Sequence, residues 1–404
     1  MSSPAVSRQD VDLAAVPLRR ALATRLAGEG LLEDPAWRRA IETVPRHHFV
    51  PGFYLQEAER SAGGLATWKP VTAQADRSRW LEAVYTDQTL ITQFDGDEPD
   101  WGRPTPRIGG APTSSSTLPS LVVRMWVDAD LHDGHDVLEI GTGTGYSTAL
   151  ACERLGDSGS VTSVEVDPRR LDQAAVTLYG DGHNPSLAVA DGLYGYWPFA
   201  PYDRIVAGCS VRSIPDAWLA QTRPGGKILT TLSGWLYGYA RVLLTVREGI
   251  AEGPLLPGTV SFMAARTQNP PGVGNPAHWA GLTRDADPRS ARHSPERLEE
   301  ATSEGFFARF LAQLAAPCAQ LASSGDTVRL IDVTTGSVAT VTRSAGGWQA
   351  RQTGPVRLWD AVETVWDAWD RAGRPGPESF RMRVSGRRQD IHHDTVPGLS
   401  FTLP

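Results

Sequence analysis

The stretch Asp136-Val-Leu-Glu-Ile-Gly-Thr-Gly-Thr-Gly145 predicts the fold of this chain. Its first half, as far as Ile140, is typical of a buried β-strand, and three closely spaced glycines follow. The residues from Tyr146 to Leu155 then have the pattern of a helix. Glycines lack the Cβ atoms that would keep a ligand from the backbone, and the helix directs free N–H groups and its positive dipole end to the same place. The stretch therefore predicts a nucleotide-type cofactor site.

The spacing of the glycines decides between two classes of cofactor. A dinucleotide fingerprint, Gly-x-Gly-x-x-Gly, requires a glycine where this chain has Tyr146. What remains, Glu139-x-Gly-x-Gly-x-Gly, resembles the first motif of class I S-adenosylmethionine-dependent methyltransferases. The resemblance implies that S-adenosylmethionine is bound, and S-adenosylhomocysteine released, by Glu139, Gly141, Thr142, Gly143, Gly145 and Tyr146.

Two later strands end in acids, as that family requires. The strand 160–166 ends near Glu165, followed by Val166, and a carboxylate there would hold the ribose diol. The strand 186–190 is followed by Asp191 and Gly192, where the family has an acid beside the adenine. The resemblance adds these four residues to the expected cofactor site.

Strand and helix signals alternate over the middle of the chain. Strands are predicted at 136–140, 160–166, 186–190, 202–208 and 226–232, with helices at 145–155, 168–180 and 213–222 between them. This alternation predicts an α/β fold with a Rossmann-like, mostly parallel, doubly wound sheet. Further strands are expected at 240–246 and 259–264. Ligands of such sheets lie beyond the carboxyl ends of the strands, where the glycines and both acids fall.

The rest of the chain is expected to form smaller parts. Residues 1–90 are predicted as an N-terminal helical and substrate-loop segment, with helices at 11–27 and 35–42 and an irregular chain from 61 to 113. The methyltransferase core is placed at 91–265, a linker at 266–292, and an accessory α+β domain at 293–404. In that last domain we expect a helix at 296–321, a hairpin about residues 334–336, and a helix at 358–370. The tryptophan stripe of the final helix has two readings, a hydrophobic core or a peptide groove.

Composition limits the class of protein. The 404 residues are 41% hydrophobic and 21% charged, which is typical of a soluble globular protein with room for two domains. No apolar run is long enough for a membrane helix, and three scattered cysteines suggest neither a disulfide framework nor a zinc site. A net charge of −7 argues against general nucleic-acid binding. We expect a cytoplasmic protein without a membrane or nucleic-acid partner.

Several segments before and after the glycine loop resemble protein-L-isoaspartate O-methyltransferases. Residues 44–51, Val-Pro-Arg-His-His-Phe-Val-Pro, are similar to the Val-Pro-Arg-x-x-Phe-Val-Pro segment of that family. Tyr85-Thr-Asp87 resembles the Tyr-x-Asp at the start of its active-site segment. Ser115-Ser-Thr-Leu-Pro119 occupies the place of the family's Thr-Ile-Ser-Gln-Pro, and Pro201-Tyr-Asp203 and Arg223-Pro-Gly-Gly226 follow in family order. The resemblance covers roughly residues 40 to 235.

The chain departs from this pattern in three places. The family's catalytic serine is replaced by Thr117, an insertion follows Asp87, and the residues beyond Arg266 look foreign to the repair enzyme. These features resemble a variant group that accompanies ATP-grasp ligases in the maturation of graspetides, which are crosslinked ribosomal peptides. That group methylates an ordinary aspartate, and the ester then cyclises to an aspartimide. The partner implied is a modified precursor peptide, and the C-terminal domain is expected to recognise it.

The expected chemistry needs alignment rather than a base, because an aspartate is already ionised at neutral pH. Hydroxyls of Ser115, Ser116 or Thr117 could orient the carboxylate without neutralising it, although the same cluster could instead cap the following helix. Substrate contacts are assigned to His47, Asp87, Arg103 and Arg107. No metal is expected, and for His47 and His48 a packed, hydrogen-bonded role is the main alternative.

Other functions remain open at this point. The chain could be an isoaspartyl repair methyltransferase with an extra domain, or an aspartyl methyltransferase of a lanthipeptide pathway. It could also be a cofactor-binding scaffold without catalysis, which would be indifferent to changes at Ser115 to Thr117. A small-molecule methyltransferase is disfavoured by the isoaspartyl-type segments.

Overall fold

The computed structural model of the chain describes residues 7–61 and 63–404. The chain forms two compact units. The first consists of Met1–Gly208 and Gln221–Arg223, and the second of Cys209–Ala220 and Pro224–Pro404. The stretch 266–292, expected to be a linker, lies inside the second unit and includes a helix at Pro276–Leu282 and a strand at Arg289–Ser290. No helix in the described part of the chain is both long and apolar enough to cross a membrane.

Local capping signals fix the helices of the first unit. Ser7 and Asp10 form a capping box at the first helix, and Asp34 caps the second by accepting a hydrogen bond from the Ala36 amide. Both N-terminal helices predicted from the sequence are confirmed. The helices of this unit are α1 (Arg8–Gly28), α2 (Pro35–Thr43), α3 (Arg77–Val84), α4 (Pro119–Asp128), α5 (Tyr146–Leu155) and α6 (Pro168–Gly180).

An antiparallel sheet occupies the part of the first unit that was predicted to be irregular. Its strands are β1 (Gly52–Arg60), β2 (Ala66–Thr72), β3 (Leu90–Phe94), β4 (Arg107–Ile108) and β5 (Pro112–Ser116), in the order β4-β2-β1-β3-β5. The prediction of an irregular chain over 61–113 is therefore wrong. Polar strands such as β5, with the sequence Pro-Thr-Ser-Ser-Ser, have no hydrophobic alternation to reveal them, and distant segments supply their partners.

The first unit also contains the predicted parallel strands. They are β6 (Asp136–Ile140), β7 (Ser160–Glu165), β8 (Ser186–Val189) and β9 (Tyr202–Val211). Strand β6 pairs in parallel with β7 and β9, and β7 pairs in parallel with β8. The glycine turn, Glu165 and Asp191 accordingly meet at the carboxyl edge of these strands. The α/β fold predicted from the sequence is confirmed.

The second unit contains antiparallel strands and a helical core. The elements are α7 (Asp216–Ala220), β10 (Thr222–Leu232), β11 (Ala240–Arg247), β12 (Ile250–Leu256), α8 (Pro276–Leu282), β13 (Arg289–Ser290), α9 (Ser303–Ala315), β14 (Gln320–Ser324), β15 (Thr327–Asp332), β16 (Ser337–Ser344), β17 (Gly347–Thr353), α10 (Leu358–Arg371), β18 (Phe380–Ser385), β19 (Arg388–His393) and β20 (Ser400–Thr402). Strands β10-β11-β12-β18-β19-β20 are neighbours in that order and pair antiparallel, so the predicted mostly parallel arrangement applies only to β6–β9. A separate five-stranded sheet runs β13-β17-β16-β15-β14.

Some predictions for this unit hold and others fail. The hairpin at 334–336 joins β15 and β16, and α10 buries Trp359, Trp366 and Trp369, so the stripe forms a core. The strand expected at 259–264 is wrong, because β12 takes that place in the sheet and Ala264 forms only an isolated bridge to Ser210. The helix expected at 296–321 is also wrong in extent. It starts after its cap at Thr302, ends at Ala315, and is followed by Pro317 and β14.

Candidate active site

The glycine turn has the conformation that its sequence requires. Gly141, Gly143 and Gly145 have φ angles of 92°, 55° and 89°, in the left-handed region that side chains with a Cβ disfavour. Gly145 immediately precedes α5, and a Cβ there would lie 3.2 Å from the Ala174 side chain of α6. A Cβ on Gly141 would meet nothing closer than the Gly208 backbone at 3.9 Å. The turn therefore leaves its backbone open to a ligand at Gly141 and is tightly packed at Gly145.

Glu165 is held over this turn by backbone amides. Its Oε2 accepts from the Gly143 N–H (2.9 Å), and its Oε1 accepts from the N–H groups of Val166 (2.9 Å) and Asp167 (3.1 Å). A carboxylate can accept about four hydrogen bonds, so one position remains for a hydroxyl donor such as a ribose diol. The next side chain, Val166, is 41% exposed and offers an apolar surface beside that carboxylate.

Asp191 and Gly192 close the other side of the sheet edge. The Asp191 carboxylate accepts from the Leu193 amide and so fixes the turn that follows β8. A Cβ on Gly192 would lie 2.3 Å from Ile140 Cγ2, an impossible distance for two carbon atoms. Only glycine therefore allows this turn to approach the end of β6, where the glycine turn begins.

Three of the expected cofactor residues lie beneath the turn. Glu139 is 2% exposed and accepts hydrogen bonds from the hydroxyls of Thr148 (2.5 Å) and Ser163 (2.8 Å). Burial raises the pKa of Glu139, against the opposing effect of its hydroxyl donors. Thr142 and Tyr146 are also buried, and the Thr142 hydroxyl bonds to that of Ser163 (2.7 Å). These side chains support the turn from below.

The edge as a whole suits the nucleoside part of S-adenosylmethionine. It combines an open glycine backbone, a carboxylate with a free acceptor position, and an exposed apolar side chain at Val166. Glu165 would hold the ribose, and Val166 with Asp191 would border the base. The bound group would supply an electrophilic methyl.

The hydroxyl cluster lies at the end of β5, with Ser115 and Ser116 on the strand and Thr117 directly after it, alongside the glycine turn. A Cβ on Gly143 would be 3.7 Å from the Ser115 carbonyl oxygen. This strand therefore runs next to the carboxyl edge of the parallel strands, which we call the cofactor edge. Ser116 is buried, and its Oγ accepts from Arg46 Nε (3.3 Å), which gives it a structural partner. Ser115 and Thr117 are half-buried. The geometry thus separates Ser116 from the two hydroxyls that could reach a substrate.

The alternative role of this cluster, capping the next helix, does not apply. Leu118 is the N-cap residue of α4 and makes no side-chain cap bond. Asp87 performs that task from a distance, because its Oδ1 accepts from the Ser120 amide (2.8 Å). The Asp87 side chain is 6% exposed. Its predicted contact with substrate is therefore corrected to a helix-capping role.

Sequence reasoning missed Arg46, which organises the segments around the hydroxyls. Its side chain is 0% exposed and donates to the backbone carbonyls of five residues, namely Val84, Thr86, Gln88, Ser116 and Thr117. Its guanidinium also lies over the Tyr146 ring at 5.6 Å. Burial lowers the pKa of Arg46 to about 10. The Val-Pro-Arg motif was a signal for this residue, but its role depends on five distant carbonyls.

His47 is also corrected, from substrate contact to a packed role. It is 4% exposed, its Nδ1 bonds to the Tyr85 hydroxyl (2.7 Å), and its Nε2 bonds to Asp12 Oδ1 (2.8 Å). His48 Nε2 shares that Asp12 oxygen (2.7 Å), and its Nδ1 lies 2.7 Å from Asp181 and 2.8 Å from Arg8. Asp12, His47 and His48 are close enough to share a cation, yet each ring nitrogen already has a hydrogen-bonding partner.

The two arginines of the insertion differ in their surroundings. Arg107 pairs with Asp97 (2.8 Å) and Asp95 (3.3 Å), both from the same insertion, and lies over the Phe94 ring. The hydrogen bond from Arg107 to Asp97 raises the arginine pKa. Arg103 is exposed on the surface. A substrate acid would therefore have to compete with two aspartates for Arg107, whereas Arg103 is accessible.

Comparisons with known proteins agree with this architecture. Residues 71–235 match the model of the protein-L-isoaspartate(D-aspartate) O-methyltransferase family. The chain is 34% identical to protein-L-isoaspartate O-methyltransferase 1 of Archaeoglobus fulgidus, over 52% of this chain and 77% of that protein. It is 38% identical to the Methanopyrus kandleri protein-L-isoaspartate O-methyltransferase, over 52% of this chain and 75% of that protein.

A solved structure extends the likeness beyond the family match. A protein-L-isoaspartate O-methyltransferase has a similar fold, with a TM-score of 0.53 at 20% identity, over 93% of this chain and 99% of its own. Such coverage necessarily includes most of the residues after Arg266. The expectation that this part of the fold is foreign to isoaspartyl methyltransferases is therefore wrong.

The parallel sheet, the glycine turn with its two acids, and the sequence relatives lead to one conclusion. The chain is an S-adenosylmethionine-dependent protein carboxyl O-methyltransferase and belongs to the protein-L-isoaspartate O-methyltransferase family.

Proposed function

We propose that this enzyme methylates the side-chain carboxylate of an ordinary aspartate in a ribosomally made, crosslinked peptide of the graspetide type. A carboxylate oxygen of the peptide attacks the sulfonium methyl, the sulfur–carbon bond breaks, and S-adenosylhomocysteine leaves. The backbone nitrogen of the following residue then attacks the ester carbonyl, loses its proton, and expels methanol to give an aspartimide. Neither the methyl transfer nor the ring closure needs an oxidant or a further cofactor.

The main support is the character of the segment between Asp87 and the hydroxyls. It contains β3, β4 and β5 together with an acidic, aromatic run from Asp95 to Trp101. Trp101 packs against Gly52 so closely that a Cβ there would overlap the indole, and its ring lies 5.2 Å from that of Tyr54. An ordered surface of this kind beside β5 suits a constrained peptide.

Within this proposal the residues have separate tasks. Thr117 and Ser115 orient the attacking carboxylate, because a hydroxyl donor aligns an oxygen without cancelling its charge as an arginine would. Glu165, Val166 and Asp191 hold the nucleoside over Gly141 and Gly143. Arg103 meets acids that flank the reacting aspartate, and Arg107 supports that surface through Asp95 and Asp97. Residues 293–404 take part in recognising the peptide.

The second candidate is repair of isoaspartyl residues. The names of the relatives and the coverage of the solved structure favour it, because they remove one reason for regarding the C-terminal region as a peptide-specific addition. An enzyme of the lanthipeptide branch would instead accept an aspartate in a thioether-crosslinked peptide. The three activities require the same cofactor edge and differ in the acceptor.

Mass spectrometry separates these candidates. The protein would be incubated with S-adenosylmethionine and one of three acceptors: a crosslinked graspetide precursor, its uncrosslinked form, or a linear isoaspartyl peptide. A methyl gain followed by loss of methanol on the crosslinked peptide alone is the expected result. Methylation of the isoaspartyl peptide alone would assign the protein to repair, and a thioether-crosslinked peptide provides the arm for the lanthipeptide branch.

A further inference from the structure

Strand β3 contains an irregularity that brings two consecutive polar side chains to one place. Ile91 pairs with Ser115 and Gln93 with Ser114, so Thr92 is an extra residue in the ladder. Successive side chains of a regular strand point to opposite faces, but a bulge re-aims them. Thr92 and Gln93 are 1% and 0% exposed. Both contact the beginning of α6.

The partners of Thr92 and Gln93 lie shortly after Glu165, the carboxylate that is expected to hold the ribose. Gln93 Nε2 donates to Asp167 Oδ2 (3.0 Å), and Arg170 Nη1 donates to Thr92 Oγ1 (3.5 Å). Arg170 also forms a buried ion pair with Glu98 of the insertion. We call these five residues, Thr92, Gln93, Glu98, Asp167 and Arg170, the β3–α6 bridge.

Asp167 connects this bridge to Glu165. Its Oδ1 caps α6 by accepting from the Arg169 amide (3.1 Å), while its own amide donates to Glu165 Oε1 (3.1 Å). On the other side, β3 pairs with β5 through Ile91 and Ser115. A continuous path of short contacts thus joins the carboxylate expected at the ribose to the strand that carries the candidate catalytic hydroxyls.

We propose that Gln93 and Glu98 are positioning residues, which make the placement of β5 depend on the segment that holds the cofactor. They touch neither ligand and act through Asp167 and Arg170. A cofactor that fixes Glu165 also fixes β3 and hence the hydroxyl strand, so an acceptor peptide binds to a site that is already ordered. Because linkage is reciprocal, the peptide must tighten cofactor binding by the same factor. This inference rests on the proposed carboxyl methylation of a peptide.

The test measures the affinity for S-adenosylhomocysteine by titration calorimetry, with and without a saturating amount of the peptide that the protein methylates. In the wild-type protein we expect the peptide to tighten binding by about fivefold or more. Gln93→Met keeps the side-chain length and Glu98→Gln keeps a hydrogen-bonding group. In both variants we expect the peptide to leave the affinity for S-adenosylhomocysteine almost unchanged, so the factor of tightening approaches one. The KM for the peptide should rise. The affinity for S-adenosylhomocysteine alone should stay within about twofold of wild type.

Asp100→Asn is the matched control. Asp100 belongs to the same acidic run, but among the described residues its carboxylate accepts from the nearby Gly102 amide alone, a bond that asparagine can also accept. This variant should keep the wild-type coupling. If the peptide tightens S-adenosylhomocysteine binding in Glu98→Gln as much as in the wild-type protein, the inference is overturned. It is also overturned if the affinities for S-adenosylhomocysteine and for the peptide both fall in proportion to a lower unfolding temperature. If Gln93→Met fails to fold, Glu98→Gln decides. Absence of methylation of every peptide by the wild-type protein would instead defeat the proposed function.

Discussion

At the scale of single residues, Arg46 illustrates how a buried charge can organise a site without touching a ligand. Its planar fork of donors meets carbonyl groups from three separate parts of the chain, at the end of α3, just before β3 and just after β5. Backbone carbonyls that are removed from water must be hydrogen-bonded, and one guanidinium serves several of them at once. The position of Thr117 is therefore fixed by a residue 71 positions away in the sequence.

Replacing Arg46 tests this role. Arg46→Lys should destabilise the protein by about 3 kcal/mol, since an ammonium has three donors and no fork and leaves buried carbonyls unsatisfied. Urea unfolding of both proteins gives the difference. Arg38→Lys is the control, because Arg38 forms an exposed pair with Glu42 on α2 and should change stability by less than about 0.5 kcal/mol. Equal stabilities of the two variants would contradict the assigned role.

The hydroxyls at the end of β5 should separate into two classes when they are replaced. Thr117→Val keeps the shape of the side chain but removes its donor, so we expect the single-turnover rate of methyl transfer to fall about tenfold to a hundredfold. The affinity for S-adenosylhomocysteine should not change. Ser116→Ala should lower stability instead, because it deprives Arg46 of an acceptor. A full methylation rate in Thr117→Val would exclude this hydroxyl from catalysis and leave Ser115.

His47 makes stability depend on pH. Burial, together with His48, lowers its pKa from 6.5 to about 4 in the folded protein, although Asp12 opposes this shift. Between these two values the unfolded chain binds more protons than the folded one, so stability rises with pH over this window and is lost as pH falls through it. The loss between pH 6.5 and 4 is at most about 3 kcal/mol. The hydrogen-bonded Asp12, whose pKa is also lowered, acts in the same direction.

Unfolding in urea at pH 7 and pH 5 checks this dependence. The wild-type protein should lose stability at pH 5, and His47→Gln should lose less, because glutamine does not titrate. The same loss in both proteins would show that other groups cause it.

At the scale of elements, the approach of one turn to one strand determines the shape of the cofactor edge. Gly192 follows β8 and lies against Ile140, the last residue of β6. The same edge depends on Gly145, which allows α5 to begin close to α6. Residues without a side chain are therefore needed both where the ligand approaches and where elements meet.

Gly192→Ala should distort this edge. The added methyl would lie 2.3 Å from Ile140 Cγ2, so one of the two elements must move. We expect a loss of about 1–3 kcal/mol in stability and at least tenfold weaker binding of S-adenosylhomocysteine, measured by calorimetry. Gly180→Ala is the control, since a Cβ there meets nothing within 4 Å. Wild-type affinity in Gly192→Ala would show that the turn can relax without disturbing the site.

At the scale of the whole molecule, the boundary of the second unit changes the meaning of a truncation. If residues 266–292 were a linker, as the sequence predicts, removal of residues 266–404 would spare cofactor binding. In the structure, β18 from this region pairs with β12 over Ile250 to Pro254, and Met382 and Val384 are fully buried. The sheet is thus assembled from both sides of the proposed cut.

A chain that ends at Ala265 should therefore fail to fold its second unit. Removal of β18 exposes the edge of β12 and the apolar side chains beneath it, which favours aggregation. Circular dichroism and size-exclusion chromatography would report this loss. A monodisperse truncated protein that binds S-adenosylhomocysteine normally would contradict it and restore the boundary at 266. Point variants of the full chain are the better test of peptide recognition.

By itself, the sequence determined the features that depend on neighbouring residues. The strand, glycine turn and helix at 136–155 could be read directly, because the hydrophobic run and the missing Cβ atoms act locally. The same holds for the acids at the ends of β7 and β8 and for the capped N-terminal helices. Parallel strands place their carboxyl ends at one edge, so the cofactor site followed from the order of the elements.

Only the tertiary structure decided which polar side chains face a ligand. Asp87, His47 and Ser116 look equally available in the sequence, but each is engaged by a partner at least 33 residues away. Strand β5 was hidden for the same reason, because its polar residues have no hydrophobic periodicity and its pairing partner is a distant segment. Hydrogen bonds between distant segments leave no local signature, and in this protein they separate the residues that build the site from those left free to act in it.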